Sequence, residues 1–226
     1  MKTKSTVLVA ALIVIVLGLF AFNAHQPLLQ LGSPGISVST STITASTTEY
    51  TVDAAYPQFG ISAIDSQIKT TVQSGVSDLE TQADQDKPAE NGYPIYSFTC
   101  LYNSPYVGSD YVSVLIACGA YTGGAHEMPT IIGATFDRAT GKSVTLDQAL
   151  ALTGKTLDQV AQEAKQQLAQ NPDTMPTAIW ASGSDATSDN YSTFLINQNH
   201  VVFIFQPYQV APYSSGAPEV TIPRVK

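Results

Sequence analysis

Charge is scarce in this chain: Lys, Arg, Asp and Glu make up 12% of its 226 residues, about half the usual share. Ten basic residues face eighteen acidic ones, for a net charge of −8. Nucleic acid demands a basic face, so no nucleic-acid partner is expected. Histidine occurs three times, at His25, His126 and His200, without His-x-x-x-His or His-Glu-x-x-His spacing. Zinc chemistry needs at least three convergent ligands, so no metal is expected. Gly-x-Ser-x-Gly, the Walker phosphate loop and Gly-x-Gly-x-x-Gly are all missing. No cofactor is therefore expected and no enzyme is read, although a triad assembled in space is invisible to sequence. The two cysteines, Cys100 and Cys118, lack Cys-x-x-Cys spacing, which argues against redox catalysis.

What is present points to an exported domain. Apolar residues reach 44% of the chain, enough for a packed core rather than disorder. Lys2 and Lys4 precede an uncharged run over residues 5–24 with an apolar centre, close to the ~20 residues that span a bilayer. Cleavage after Ala24 would place Phe22 at the −3 position, and cleavage after Ala21 would place Leu19 there, both too bulky. Residues 1–25 thus read as a signal-anchor transmembrane helix, a cleaved signal peptide being the alternative. The partner of that segment is the cell membrane. The reading is a single-pass protein with its C-terminal domain outside the cytoplasm. That exported part keeps eight basic against eighteen acidic residues, which favours a basic partner over an acidic one, a solubilising surface being the plainer alternative. Residues 26–46, rich in Ser, Thr, Pro and Gly, read as an extended stalk. No composition break follows, so residues 47–226 form one domain.

Periodicity supplies the elements. Residues 49–57 alternate as a strand, and Ile64, Ile68, Val72, Val76 and Leu79 recur at helical spacing up to Lys87-Pro88. Gly75 is a weak point in that helix. Strands follow over 94–103, 110–121 and 129–137, the first two as an antiparallel hairpin. Thr145 with Gln148, and Thr156 with Gln159, have capping-box spacing and predict two helices. Residues 171–190 read as loop, 193–196 and 201–205 as a hairpin, and 219–223 as a last strand. The fold class is α+β, a single domain with an antiparallel β-sheet and helices packed on one face.

Cys100 and Cys118 lie nine residues either side of position 109, inside the predicted turn. They should be cross-strand neighbours and, in an oxidising exterior, a disulfide. Two buried thiols are the plainer alternative.

Two phrases remain: Tyr-Thr-Gly-Gly-Ala-His at 121–126 and Phe-Gln-Pro-Tyr-Gln-Val-Ala-Pro-Tyr-Ser-Ser-Gly at 205–216. Gly123 and Gly124 suit a turn with positive φ, or a loop that lets a ligand approach. Tyr208 and Tyr213 suit either an interface or the edge of a core. If the strands ahead of the two loops run the same way in one sheet, Tyr121, Gly123, Gly124, His126, Tyr208 and Tyr213 share one ligand-binding surface.

Together with Glu219-Val220-Thr221-Ile222-Pro223, these phrases resemble the exported domain shared by RsiV-type anti-sigma factors, which sense lysozyme, and PdaC-type peptidoglycan deacetylases, ahead of their catalytic region. Gln209-Val210 stands where that family usually has Glu-Ile. The resemblance implies an extracytoplasmic binding or sensing module of the bacterial envelope, its ligand a cell-wall glycan or a basic protein such as lysozyme. An accessory cell-wall hydrolase or deacetylase, or a purely structural envelope protein, are the alternatives.

Overall fold

The structure, a computed structural model, describes residues 35–174 and 180–225. The anchor helix expected over residues 1–25 lies outside them. Among the described residues no helix is long and apolar enough to cross a membrane. In chain order the elements are β1 (Ser39–Ser46), β2 (Tyr50–Gln58), α1 (Ser62–Asp86), α2 (Pro88–Asn91), β3 (Tyr96–Tyr102), β4 (Tyr106–Val107), β5 (Tyr111–Tyr121), β6 (Met128–Asp137), α3 (Leu146–Thr153), α4 (Leu157–Gln170), β7 (Phe194–Ile196), β8 (His200–Ile204) and β9 (Glu219–Pro223). The α+β reading and the single domain hold.

The larger sheet runs β1-β2-β3-β5, with β4 beside the start of β5 and β6 along its other edge. Its β2–β3 pair is parallel, contrary to the wholly antiparallel sheet read from sequence. The reason is α1, whose 25 residues carry the chain back to the starting end of β2, as a crossover must. The stalk boundary also moves. Residues 39–46 are edge strand β1, pairing with β2 along all eight residues. Ser/Thr-rich composition hides a strand here, because Thr40, Thr42, Ile43 and Thr44 are β-branched and fit a pleated surface.

Helix α1 buries Ile64, Ile68, Val72, Val76, Leu79 and Ala83 against Val52, Ala54, Phe98 and Cys100. Lys87, left-handed at φ 45°, ends it ahead of Pro88. Gly75 is not a flaw in this helix but its contact point. A Cβ there would lie 2.5 Å from the Phe98 ring. Gly75→Ala is therefore expected to lower stability by about 1–3 kcal/mol through overpacking, despite the ~1 kcal/mol gain in helix propensity. A urea midpoint at or above wild type would refute this.

Cys100 and Cys118 form a disulfide across β3 and β5, with Cα atoms 4.1 Å apart. This is the register expected from sequence, and the close approach fits a non-hydrogen-bonded pair. Past Asn103, which bonds Leu115 through backbone and side chain, the β5 partner strand gains one residue before Tyr106 meets Ser113. That bulge separates β3 from β4.

β7, β8 and β9 form a second, antiparallel sheet that the sequence reading merges with the first. One of its faces packs on the large sheet through Leu115, Ile131 and Ile204. The other buries Phe203, Phe205, Val220 and Ile222 under α3 and α4, with Val160, Ala164 and Leu168. Helices thus cover both outer sides of the molecule, not one face of one sheet. Both helices begin with the expected capping boxes at Thr145 and Thr156.

The join between the sheets is made by buried hydroxyls. Ser113 Oγ donates to the Ile196 carbonyl (2.8 Å) and accepts from its N–H (3.1 Å). Thr135 Oγ1 donates to the Phe194 carbonyl (3.2 Å). These bonds satisfy the outer backbone edge of β7, which would otherwise be buried without partners. Gly133 lets that edge come close, since a Cβ would lie 2.7 Å from the Phe194 oxygen.

Candidate functional site

The two loop phrases meet, although their strands belong to different sheets. β5 ends in the large sheet and β8 in the small one, so the single-sheet condition does not hold. What brings the loops together is Gln206. Its Oε1 accepts from the Ile131 N–H (2.8 Å), and its Nε2 donates to the Ile131 carbonyl (2.7 Å) and to Thr193 Oγ1 (3.1 Å). One side-chain amide thus takes the place of a paired strand at the β6 edge, and pins the β8–β9 connection beside it.

The connection itself faces two ways. Val210 and Ala211 are buried in the core of the small sheet. Tyr208, 42% exposed, points out. Tyr208 has φ 68°, a left-handed conformation uncommon for a bulky residue, which costs on the order of 1–3 kcal/mol. Gln209 holds that conformation. Its Oε1 accepts from the Gln206 N–H (2.9 Å), and its Nε2 donates to the carbonyls of Gly183 (2.8 Å) and Asn190 (3.0 Å). A carboxylate could not make the last two bonds, so the Gln in place of the resembling family's Glu is structural here.

Around Tyr208 the rings gather. His126 stacks on Tyr213 with centroids 4.2 Å apart. Tyr208 lies 5.5 Å from Tyr213 and 6.4 Å from His126. Trp180 lies 6.5 Å from Tyr208 with the ring planes within 5° of parallel. His126 Nδ1 sits 2.8 Å from the Glu127 carbonyl, which can only accept, so Nδ1 carries a proton. In the neutral ring Nε2 then accepts from the Tyr208 hydroxyl, 3.3 Å away. Burial, then the nearby Glu127 carboxylate and Tyr208, push the Tyr213 phenol above its ordinary pKa. It stays a neutral donor at physiological pH.

Trp180, 43% exposed, is the member that sequence reasoning missed. Its one signal is that it is the chain's single tryptophan, in an apolar island of a loop. Its backbone N–H donates to the Val210 carbonyl (2.7 Å), which ties its segment to the Tyr208 loop. In the small-sheet core, Tyr191 is fully buried and donates its hydroxyl to the Ser184 carbonyl (2.9 Å). Burial, and Asp185 second, push the Tyr191 phenol to about 12.

The other candidates are peripheral. Tyr121 ends β5 opposite Ser97 and adds no ring contact to the cluster. Gly123, at φ 95°, is the turn that needs glycine, whereas Gly124 has room for a Cβ. Among the described residues no group of three or more His, Cys, Asp or Glu could hold a metal. A groove of about 450 Å³ lies elsewhere, between α1 and β6, lined by Ser66, Thr70, Thr71, Ser143 and Ser192 among others. It shares no residue with the aromatic cluster.

Residues 150–225 match the model of DUF3298, a protein of unknown function. The match takes in α4, the small sheet and the segment from Trp180 to Tyr213, but not His126. The fold recurs in two crystal structures of DUF3298 family proteins. One, from Pseudomonas aeruginosa PAO1, superposes with a TM-score of 0.54 at 18% identity, covering 83% of this chain and 91% of that one. The other, from Bacteroides fragilis NCTC 9343, has a TM-score of 0.50 at 16% identity, covering 83% and 90%. At such identities the likeness concerns the fold. No curated protein matches the chain. The link to RsiV-type and PdaC-type proteins rests on the resemblance of the two loop phrases and of Glu219-Val220-Thr221-Ile222-Pro223.

Proposed function

We propose that this chain is an extracytoplasmic binding module of a bacterial envelope, held at the membrane by residues 1–25, whose ligand face is the Trp180–Tyr208–Tyr213–His126 cluster. The observation that carries the reading is convergence. Rings from three separate loops gather at one place, two of them about two-fifths exposed. The loop that carries Tyr208 and Tyr213 is held by Gln206, Gln209 and Val210, and it keeps Tyr208 in a costly conformation. A core brace needs neither exposure nor strain, while a preformed binding surface uses both. Aromatic faces beside a neutral phenol and a histidine suit the apolar face and hydroxyls of a sugar, so a cell-wall glycan is the ligand proposed first.

The acidic balance of the chain, net −8, favours a second reading, a basic wall-active protein such as lysozyme. Salt separates the two. Capture of the full chain, purified in mild detergent, on insoluble peptidoglycan should change little between low and high salt. Capture by a basic protein should fall steeply. Failure to bind either ligand overturns the proposal.

A further inference from the structure

Among the described residues, the outer edge of β1 is long, regular and uncovered. All eight residues pair with β2 without a break, and none is charged or proline. Among the described residues no strand covers the other side. Natural edges are usually blunted by lysine, proline, a bulge or brevity, and this one has none of them.

The ladder shows which groups are free to pair. Thr47 donates its N–H to the Tyr50 carbonyl (2.9 Å), so the hydrogen-bonded pairs inward from it are Ala45 with Val52, Ile43 with Ala54, and Ser41 with Tyr56. Thr40, Thr42, Thr44 and Ser46 therefore aim their N–H and C=O groups outward.

We propose that two copies of this chain pair antiparallel along β1, with Ile43 opposite the second copy's Ile43. In that register Thr42 faces the second copy's Thr44, and Thr40 faces its Ser46. Every outward backbone group of the strand is then used, giving about eight bonds across the twofold axis. The strand is self-complementary there because it is uncharged, so no like charges meet, and each Ile43, half-buried in the single copy, gains an apolar partner. Ser41 opposes Ala45 on the same face. β1 and β6 are opposite edges of the large sheet, so the aromatic cluster, beside the β5–β6 turn, stays open in the pair. The inference is independent of what the cluster binds.

Site-specific cross-linking of the full chain tests the register. Under mild oxidation Ile43→Cys is expected to give a covalent dimer at least tenfold more efficiently than Ser41→Cys. The two Ser41 positions would lie about 13 Å apart, beyond disulfide reach. Ser41→Cys mixed with Ala45→Cys should link. Adding Thr42→Pro to Ile43→Cys removes an outward N–H without touching the β2 ladder, and should abolish the dimer with little change in Tm. Absence of a dimer from Ile43→Cys, or equal yields from Ile43→Cys and Ser41→Cys, overturns the proposal whatever Thr42→Pro does to folding.

Discussion

Gly183→Ala is expected to unseat the aromatic cluster. A Cβ on Gly183 would lie 1.8 Å from the Gln209 carbonyl oxygen, so the two segments cannot keep their present approach. No rotamer relieves a clash between backbone and Cβ, and the loop itself must move. That motion breaks the bonds from Gln209 Nε2 to Gly183 and from the Trp180 N–H to Val210. Overpacking of this kind costs about 1–3 kcal/mol, and Tm falls by about 2–4 °C per kcal/mol in a domain of this size. Trp180, the chain's single tryptophan, reports the change directly. Its emission should shift to the red as Tyr208 leaves its face. Unchanged emission and Tm would mean that the close approach of Gly183 to the loop is not what seats Trp180.

Removing the disulfide should be costly in a different way. Cys100 and Cys118 are both buried and join the two central strands of the large sheet across 18 residues of chain. Constraint of the unfolded chain by such a loop is worth ~3 kcal/mol in the loop-entropy description. The double substitution Cys100→Ala with Cys118→Ala should therefore lower Tm by about 6–12 °C. The fluorescence of Trp180 should not change at room temperature, because the bridge belongs to the core under α1 and not to the cluster that joins the two sheets. A Tm within a degree of wild type would show that the bridge contributes little.

These two variants also mark what the sequence made legible. The disulfide register followed from hairpin symmetry, a local property, and the capping boxes at Thr145 and Thr156 were legible for the same reason. Helix α1 was legible through its apolar stripe, although Gly75 gained its meaning only from Phe98. The second sheet was not legible. It depends on Ser113 and Thr135 reaching the backbone of β7 from more than fifty residues away, and hydroxyls in a strand carry no such sign. β1 was hidden because composition suggested a stalk where β-branching suggested a strand. At the site, His126, Tyr208 and Tyr213 stood out as unusual turn residues beside strands. Trp180 did not, because what places it is one hydrogen bond to Val210 and the absent side chain of Gly183.

The most direct test of the binding face is a titration of the full chain with soluble N-acetylated glycan fragments of peptidoglycan, followed by Trp180 fluorescence. Wild type should show a saturable change. Tyr208→Ala and His126→Ala should lose it while Tm stays within about 2 °C, since both side chains are exposed and the loop is held by Gln206 and Val210. The contrary result is a Tm that falls by several degrees in both variants with the fluorescence response intact at low temperature. Tyr208 and His126 would then be scaffold, and the cluster would not be the ligand face.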